Sequence, residues 1–187
     1  MKTGIIIPCF NEEKRLNVTA FKNFVSKEND YYLCFVNDGS KDNTLKVLQE
    51  IREINPSKVS IVDMKKNGGK AAAVRAGSRY LYSFVEIDYI GFIDAGLSAD
   101  FEDFGDLLKT LKTNNELNFV FGSRAKNASE AIEKDKIRSL LSKVINILII
   151  LMVESSIEDT VFGANIYKAD LVSIVLAESF MSNWFFM

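Results

Sequence analysis

"YIGFIDAGLSADFEDF", residues 89–104, is the stretch on which the reading of this chain turns. An apolar run ends abruptly on Asp94. After a short link comes a segment with an acidic first turn, in which Phe101, Phe104, Leu108 and Leu111 fall on one helical face. The pattern predicts a buried strand, a turn at its carboxyl end and a helix packed back on the sheet. A carboxylate that ends such a strand must be hydrogen-bonded, metal-bound or exposed at a crevice, because a buried unpaired charge is expensive. Two residues on, where a second acid would complete a metal-binding pair, stands Gly96. Ser98 suits a helix cap better than Asp94 does.

Outward from this stretch, strand-like runs recur at 4–8, 31–36, 58–62, 87–93 and 117–121, with an irregular or short strand near 160–167. Helical periodicity lies between them. Leu45, Leu48 and Ile51 share one face, and Val74, Gly77, Leu81 and Phe84 share another. Such alternation predicts an α/β domain with a single, mostly parallel sheet flanked by helices. Ligands of such sheets bind beyond the carboxyl ends of the strands. There this sequence sets "PCFNEE", "NDGS", "KKNGGK", "DAG" and "GSR" in turn.

Composition narrows the chemistry. The 187 residues are 48% hydrophobic, enough for one domain with a sizeable core, and the formal charge of -2 argues against an extended nucleic-acid footprint. With no histidine, catalysis falls to carboxylates, Lys and Arg. Cys9 and Cys34 lie at or inside apolar strands without ligand-like spacing and read as reduced, buried residues. "MKTGIIIPCFNEE" is too short in its apolar run for a signal peptide. The run "VINILIILMV", 144–153, falls short of the roughly 20 residues of a spanning helix, so no transmembrane segment is expected. Ile137, Leu140, Leu141, Val144, Ile145, Leu148, Leu151 and Met152 form a helical stripe that either packs on the domain or touches lipid together with "SFMSNWFFM". A last short helix is expected from about 169, and the apolar ending "NWFFM" reads as a C-terminal truncation.

The strand-end residues have structural readings beside functional ones. In "NDGS", Gly39 permits a tight turn and Ser40 can cap a helix beginning near Asp42. Asp38 is left over, an acid able to accept hydrogen bonds from a base or ribose while repelling a phosphate. "NGGK", 67–70, lacks the phosphate-loop spacing, but Gly68 and Gly69 let the backbone approach a flat ligand. Lys70 and Arg75 serve either anion contacts or a solvated helix face.

The ordered set "IIIPCFNEE", "VNDGSKDNT", "NGGKAAAVRAG", "FIDAGLS", "FGSR" and "IEDTVFGANIYKAD" resembles the family 2 glycosyltransferases of GT-A fold, and most of all the branch of dolichyl-phosphate glucosyltransferase, dolichyl-phosphate mannose synthase and their bacterial polyprenyl-phosphate relatives. The resemblance covers essentially the whole chain. It implies that Pro8, Asn11, Glu12 and Asp38 line a nucleotide pocket bordered by Gly68, Gly69 and Lys70. It also implies a divalent cation, Mg²⁺ or Mn²⁺, bound with the diphosphate at Asp94 and Ser98. Arg124 and Arg138 would receive the acceptor's lipid phosphate. Asp159 would act as a base if the acceptor were a sugar hydroxyl.

This chain departs from the pattern at Asn37, where relatives carry an acid, at Gly96, and in the stretch 159–165, where two polar positions and a lysine are gone. The implied reaction moves a hexose from a UDP-glucose or GDP-mannose type donor to a polyprenyl phosphate or glycan. The implied location is the cytoplasm, with peripheral contact on the inner face of the membrane. Residues 1–187 are then a catalytic domain cut short at its C-terminus. The rival reading is a degenerate or truncated nucleotide-sugar-binding protein without transfer activity. A nucleotidyltransferase would need a glycine-rich loop after the first strand, where this chain has "PCFNEE". A partner-binding module would use the apolar C-terminal end as an interface.

Overall fold

In a computed structural model that describes residues 1–121 and 164–172, the apolar runs assemble into one six-stranded sheet. Its strands are β1 (Thr3–Cys9), β2 (Tyr31–Asp38), β3 (Val59–Met64), β4 (Tyr89–Ile93), β5 (Phe119–Phe121) and β6 (Ala164–Lys168). They lie in the order β3-β2-β1-β4-β6-β5. The first four are mutually parallel, while β6 runs antiparallel between β4 and β5. The mostly parallel sheet is as the sequence predicts. The position of β6 is not, because a strand late in the chain is inserted beside β4, whose apolar edge it covers.

Every residue of β4 is buried, as a strand covered on both faces requires. Alternate side chains of the central strands feed two cores. Ile5, Ile7, Leu33, Phe35, Ile93 and Ile166 face α1 (Val18–Lys27), α2 (Thr44–Arg52) and α4 (Phe101–Thr113). Ile6, Cys34, Val36, Ile90, Phe92 and Tyr167 face α3 (Lys70–Phe84). Three of these helices were legible from their periodicity. α1 was not, because Phe21 and Val25 are its only buried side chains. It is held by Asn17, whose side chain accepts the Ala20 N–H at 3.1 Å, and by Phe21 set edge-on to Phe35 at 5.1 Å. A 3-10 turn, Ala169–Leu171, begins where a last helix was expected.

Two expected caps are corrected. Ser40 does not cap α2, which starts at Thr44, and the Thr44 N–H goes to Asp42 at 3.0 Å. Ser98 does not cap α4. Asp100 does, in a reciprocal capping box with Asp103 that satisfies two otherwise orphaned N–H groups. Ser40 is thereby left for a tertiary contact and Ser98 for one within its own turn.

Cys9 and Cys34 are both fully buried, one in each core, so the sheet itself separates them. Burial pushes the Cys34 thiol up to about 12, and burial with the nearby Glu12 charge raises Cys9 further. Neither thiol should react with a disulfide reagent at pH 8 in the native protein, and both should react in guanidinium. Because the folded pKa values lie above the unfolded ones, this contribution to stability is fully present below about pH 9. It is lost as the pH rises toward 12, which a series of urea titrations would show. Rapid reaction of either native thiol would contradict the packing.

The segment 122–163 and the residues beyond 172 lie outside the described residues. Arg124, Arg138, Asp159, the apolar stripe 137–152 and the C-terminal aromatic run therefore have no structural account here. Among the described residues no helix is long and apolar enough to cross a membrane.

Candidate functional site

The chain passes from β1 through α1 to β2 on one side, and α3 carries it back across β1 to β4 on the other. The strand order thus reverses between β1 and β4, and at such a switch point the loops beyond the carboxyl ends part to leave a crevice. The segments after β1, β2, β3 and β4 meet around it.

Near the end of β1, Pro8 is half-buried, and the strand leads into a loop fastened to the one after β2. Asn11 takes a left-handed conformation (φ 54°), which asparagine tolerates better than most residues. Its N–H donates to Ser40 Oγ at 3.0 Å and its side-chain oxygen accepts the Lys41 N–H at 2.9 Å. Glu12 is buried, its N–H donating to Thr44 Oγ1 at 2.8 Å and its carboxylate held by the Arg15 guanidinium. Glu13 stays below the usual carboxylate range because the side chain and backbone of Asn43 donate to it. The expected nucleotide residues Asn11 and Glu12 therefore sit in a loop braced mainly by hydrogen bonds to the segment after β2.

Asp38, at the end of β2, is buried, and its two oxygens accept the N–H groups of Gly68 at 2.7 Å and Gly69 at 2.9 Å. Gly69 is the cap residue of α3, with φ 84°, which only glycine adopts cheaply. Asp38 thus occupies the place at the helix start where an anion is favoured. Its remaining lone pairs are what it has left for a ligand. Asn37, where relatives are expected to carry an acid, donates to Asp63 at 2.7 Å, an arrangement a second carboxylate could not make.

Lys70, the first residue of α3, sends its ammonium to Asp94 Oδ1 at 2.7 Å and lies 4.8 Å from the centre of the Phe92 ring. The other oxygen of Asp94 accepts the Ser98 hydroxyl at 2.9 Å. The Leu97 N–H returns to the Asp94 carbonyl at 2.9 Å, with Leu97 in a left-handed conformation (φ 52°), so "DAGLS" is a tight turn that folds Ser98 back on Asp94. Gly96 is exposed, and a side chain built there would meet nothing within 4 Å. The structure thus brings Asp94, Ser98 and Lys70 together and joins Asp38 to Gly68 and Gly69.

Mg²⁺ or Mn²⁺ prefers a shell of about six oxygens at near 2 Å, commonly one or two carboxylates with phosphates and water. Here the carboxylate of Asp94 is engaged by Lys70 and Ser98, Gly96 brings no side-chain oxygen, and among the described residues no three acids or thiols cluster around a common point. This donor set does not by itself fit a resident divalent cation.

Two further polar groups bear on the site: the sequence left Arg75 open between an anion contact and a solvated helix face, and did not single out Asn165. Arg75 is half-buried on α3 with its Nη1 lacking a partner among the described residues, which argues against a merely solvated helix face. Asn165 is buried at the start of β6, opposite Phe92 in register, with Oδ1 likewise unpartnered among them. The one signal for Asn165 was its place where the family pattern leads one to expect a lysine.

The family model for "Glycosyl transferase family 2" matches residues 4–174. A dolichyl-phosphate beta-glucosyltransferase of Trichomonas vaginalis is 30% identical over 195 residues, an alignment covering 98% of this chain and 58% of that one. The dolichyl-phosphate beta-glucosyltransferase of Homo sapiens is 28% identical over 197 residues, covering 98% of this chain and 60% of that one. The chain therefore spans somewhat more than half the length of these relatives. Among solved structures, a mannosyltransferase from Pyrobaculum calidifontis in complex with GDP-Man and Mn²⁺ superimposes with a TM-score of 0.61 at 14% identity, covering 93% of this chain and 46% of that one. That likeness shows the fold alone, a single mostly parallel sheet flanked by helices in the GT-A arrangement. With the match running through all four loops that meet at the crevice, the chain belongs to glycosyl transferase family 2.

Proposed function

We propose that residues 1–187 are the donor-binding part of a glycosyltransferase that moves a hexose from a nucleoside diphosphate sugar to a polyprenyl phosphate. The observation that supports it most is the meeting of Asp38, Gly68, Gly69, Lys70 and Asp94 at the β1/β4 crevice of a family 2 chain. Pro8, Asn11, Glu12 and Asp38 form the base and ribose side of the donor pocket, with Gly68, Gly69 and Lys70 along its edge. The Mg²⁺ or Mn²⁺ ion that the family pattern implies at Asp94 and Ser98 would first have to displace Lys70.

A phosphate acceptor is already an anionic nucleophile, so little base catalysis is required. Arg124 and Arg138 orient it by charged hydrogen bonds, and Asp159 is the base reserved for a hydroxyl acceptor. Displacement in one step inverts the sugar carbon. A polyprenyl acceptor puts the domain at the cytoplasmic face of a membrane, with the apolar stretch 144–153 as its peripheral contact.

The relatives' names support the acceptor class, and the 28–30% identity extends over nearly the whole of this chain. The second reading, donor binding without transfer, draws on Gly96, Asn37 and Asn165, which replace polar or charged groups that the family pattern leads one to expect. Incubation with labelled UDP-glucose or GDP-mannose and a polyprenyl phosphate should yield solvent-extractable label from one donor. Donor binding without extractable label would favour the second reading. Failure of both donors to bind would reject both.

A further inference from the structure

We infer that Lys70, in place of a divalent cation, is the counter-charge for the donor's diphosphate, so that this chain binds its nucleotide without metal. The inference rests on the nucleotide-sugar reading of the crevice and concerns how the charge of the diphosphate is met there.

Where two acids project into such a site, a diphosphate can approach only with a cation that offsets both. Here Gly96 removes one acid, and the charge of Asp94 is offset by the ammonium at 2.7 Å, so the described pair is neutral before any ligand arrives. The space beside Gly96 is open, room that a phosphate group can enter. The backbone of the glycine turn does not offer an alternative cradle, because the Gly68 and Gly69 N–H groups are given to Asp38. What the turn presents is Lys70, set at the first position of a 15-residue helix, where the aligned backbone dipoles add positive potential.

The pair is also reachable. The Lys70 and Asp94 side chains are 30% and 25% exposed, so the ammonium can change partners by rotating its flexible stem over Phe92 without unpacking the core. In the transfer step the bond between the sugar C1 and the β-phosphate oxygen breaks, and its electron pair leaves with the diphosphate. A lone pair of the acceptor phosphate oxygen forms the new bond to C1. Lys70 donates a hydrogen bond to the departing oxygen and keeps its proton, while Asp94 keeps the ammonium aimed at the crevice.

Calorimetric titration of UDP and GDP, each in EDTA and in Mn²⁺, tests this on the natural chain, Lys70→Met, Lys70→Arg and Gly96→Asp, with thermal melts to verify folding. One nucleotide should bind the natural chain with affinities within about threefold in the two media. Lys70→Met should lose about tenfold or more and Lys70→Arg should largely retain binding, in keeping with the value of a hydrogen bond to a charged group. Gly96→Asp should gain a dependence on Mn²⁺. Binding of the natural chain only with Mn²⁺, or undiminished binding by Lys70→Met, would overturn the inference and leave the nucleotide-sugar reading standing. Absence of binding by both nucleotides in both media would overturn the two together.

Discussion

Replacing Gly91 by alanine should lower stability by about 3 kcal/mol or more and the melting temperature by roughly 10 °C. Gly91 lies in the middle of β4, paired with Ile5 on one side and Ile166 on the other. A Cβ there would stand 2.2 Å from the Asn165 carbonyl oxygen, 2.8 Å from the Phe104 ring and 3.0 Å from the Ile166 Cα. Two of these neighbours are backbone in a hydrogen-bonded strand and cannot rotate away, so β6 must shift or α4 must lift. Gly96→Ala is the control, since its Cβ meets nothing, and it should cost less than about 0.5 kcal/mol. Equal melting temperatures for the two variants would mean that β6 does not lie against β4 as described.

Asp38→Ala should cost about 2–3 kcal/mol in urea unfolding and weaken nucleotide binding as well. The carboxylate makes two charge-assisted hydrogen bonds to the glycine turn, yet Gly68 is exposed and Gly69 also donates to the Asn67 side chain at 2.9 Å, which moderates the loss. Asp38→Asn should fall between the two, because an amide has one accepting oxygen and turns an N–H toward the other donor. The functional consequence follows from position. Without Asp38 the turn loses its anchor at the start of α3, and with it the placement of Lys70 against Asp94. A loss of stability below about 0.5 kcal/mol would show that the turn is held by other contacts.

Much of the fold was legible locally. Apolar runs ending on Asp38 and Asp94 read as strands because parallel strands covered on both faces are continuously apolar, and the helices at 44–52, 70–84 and 101–113 showed their buried faces at three- and four-residue spacing. α1 escaped because so few of its residues are buried. Ser40 and Ser98 were read as caps because a serine before a helix usually is one, and a tertiary contact with Asn11 and a contact within the turn to Asp94 claimed them instead. The candidate site was legible as a set of strand ends, and Asp94, Asp38 and Lys70 were all named as candidates from sequence. Their pairing was not.

By itself the sequence determined the α/β class, the mostly parallel sheet and the strand ends on which polar chemistry is concentrated, since periodicity and turn residues act over a few neighbours. Only the tertiary structure decided that β6 is inserted antiparallel beside β4, that Asp38 spends both oxygens on the Gly68–Gly69 turn, and that Lys70 rather than a second acid faces Asp94. Each of these joins residues more than 20 positions apart, and such contacts depend on how the sheet is ordered and how α3 is laid across it, which no local pattern encodes.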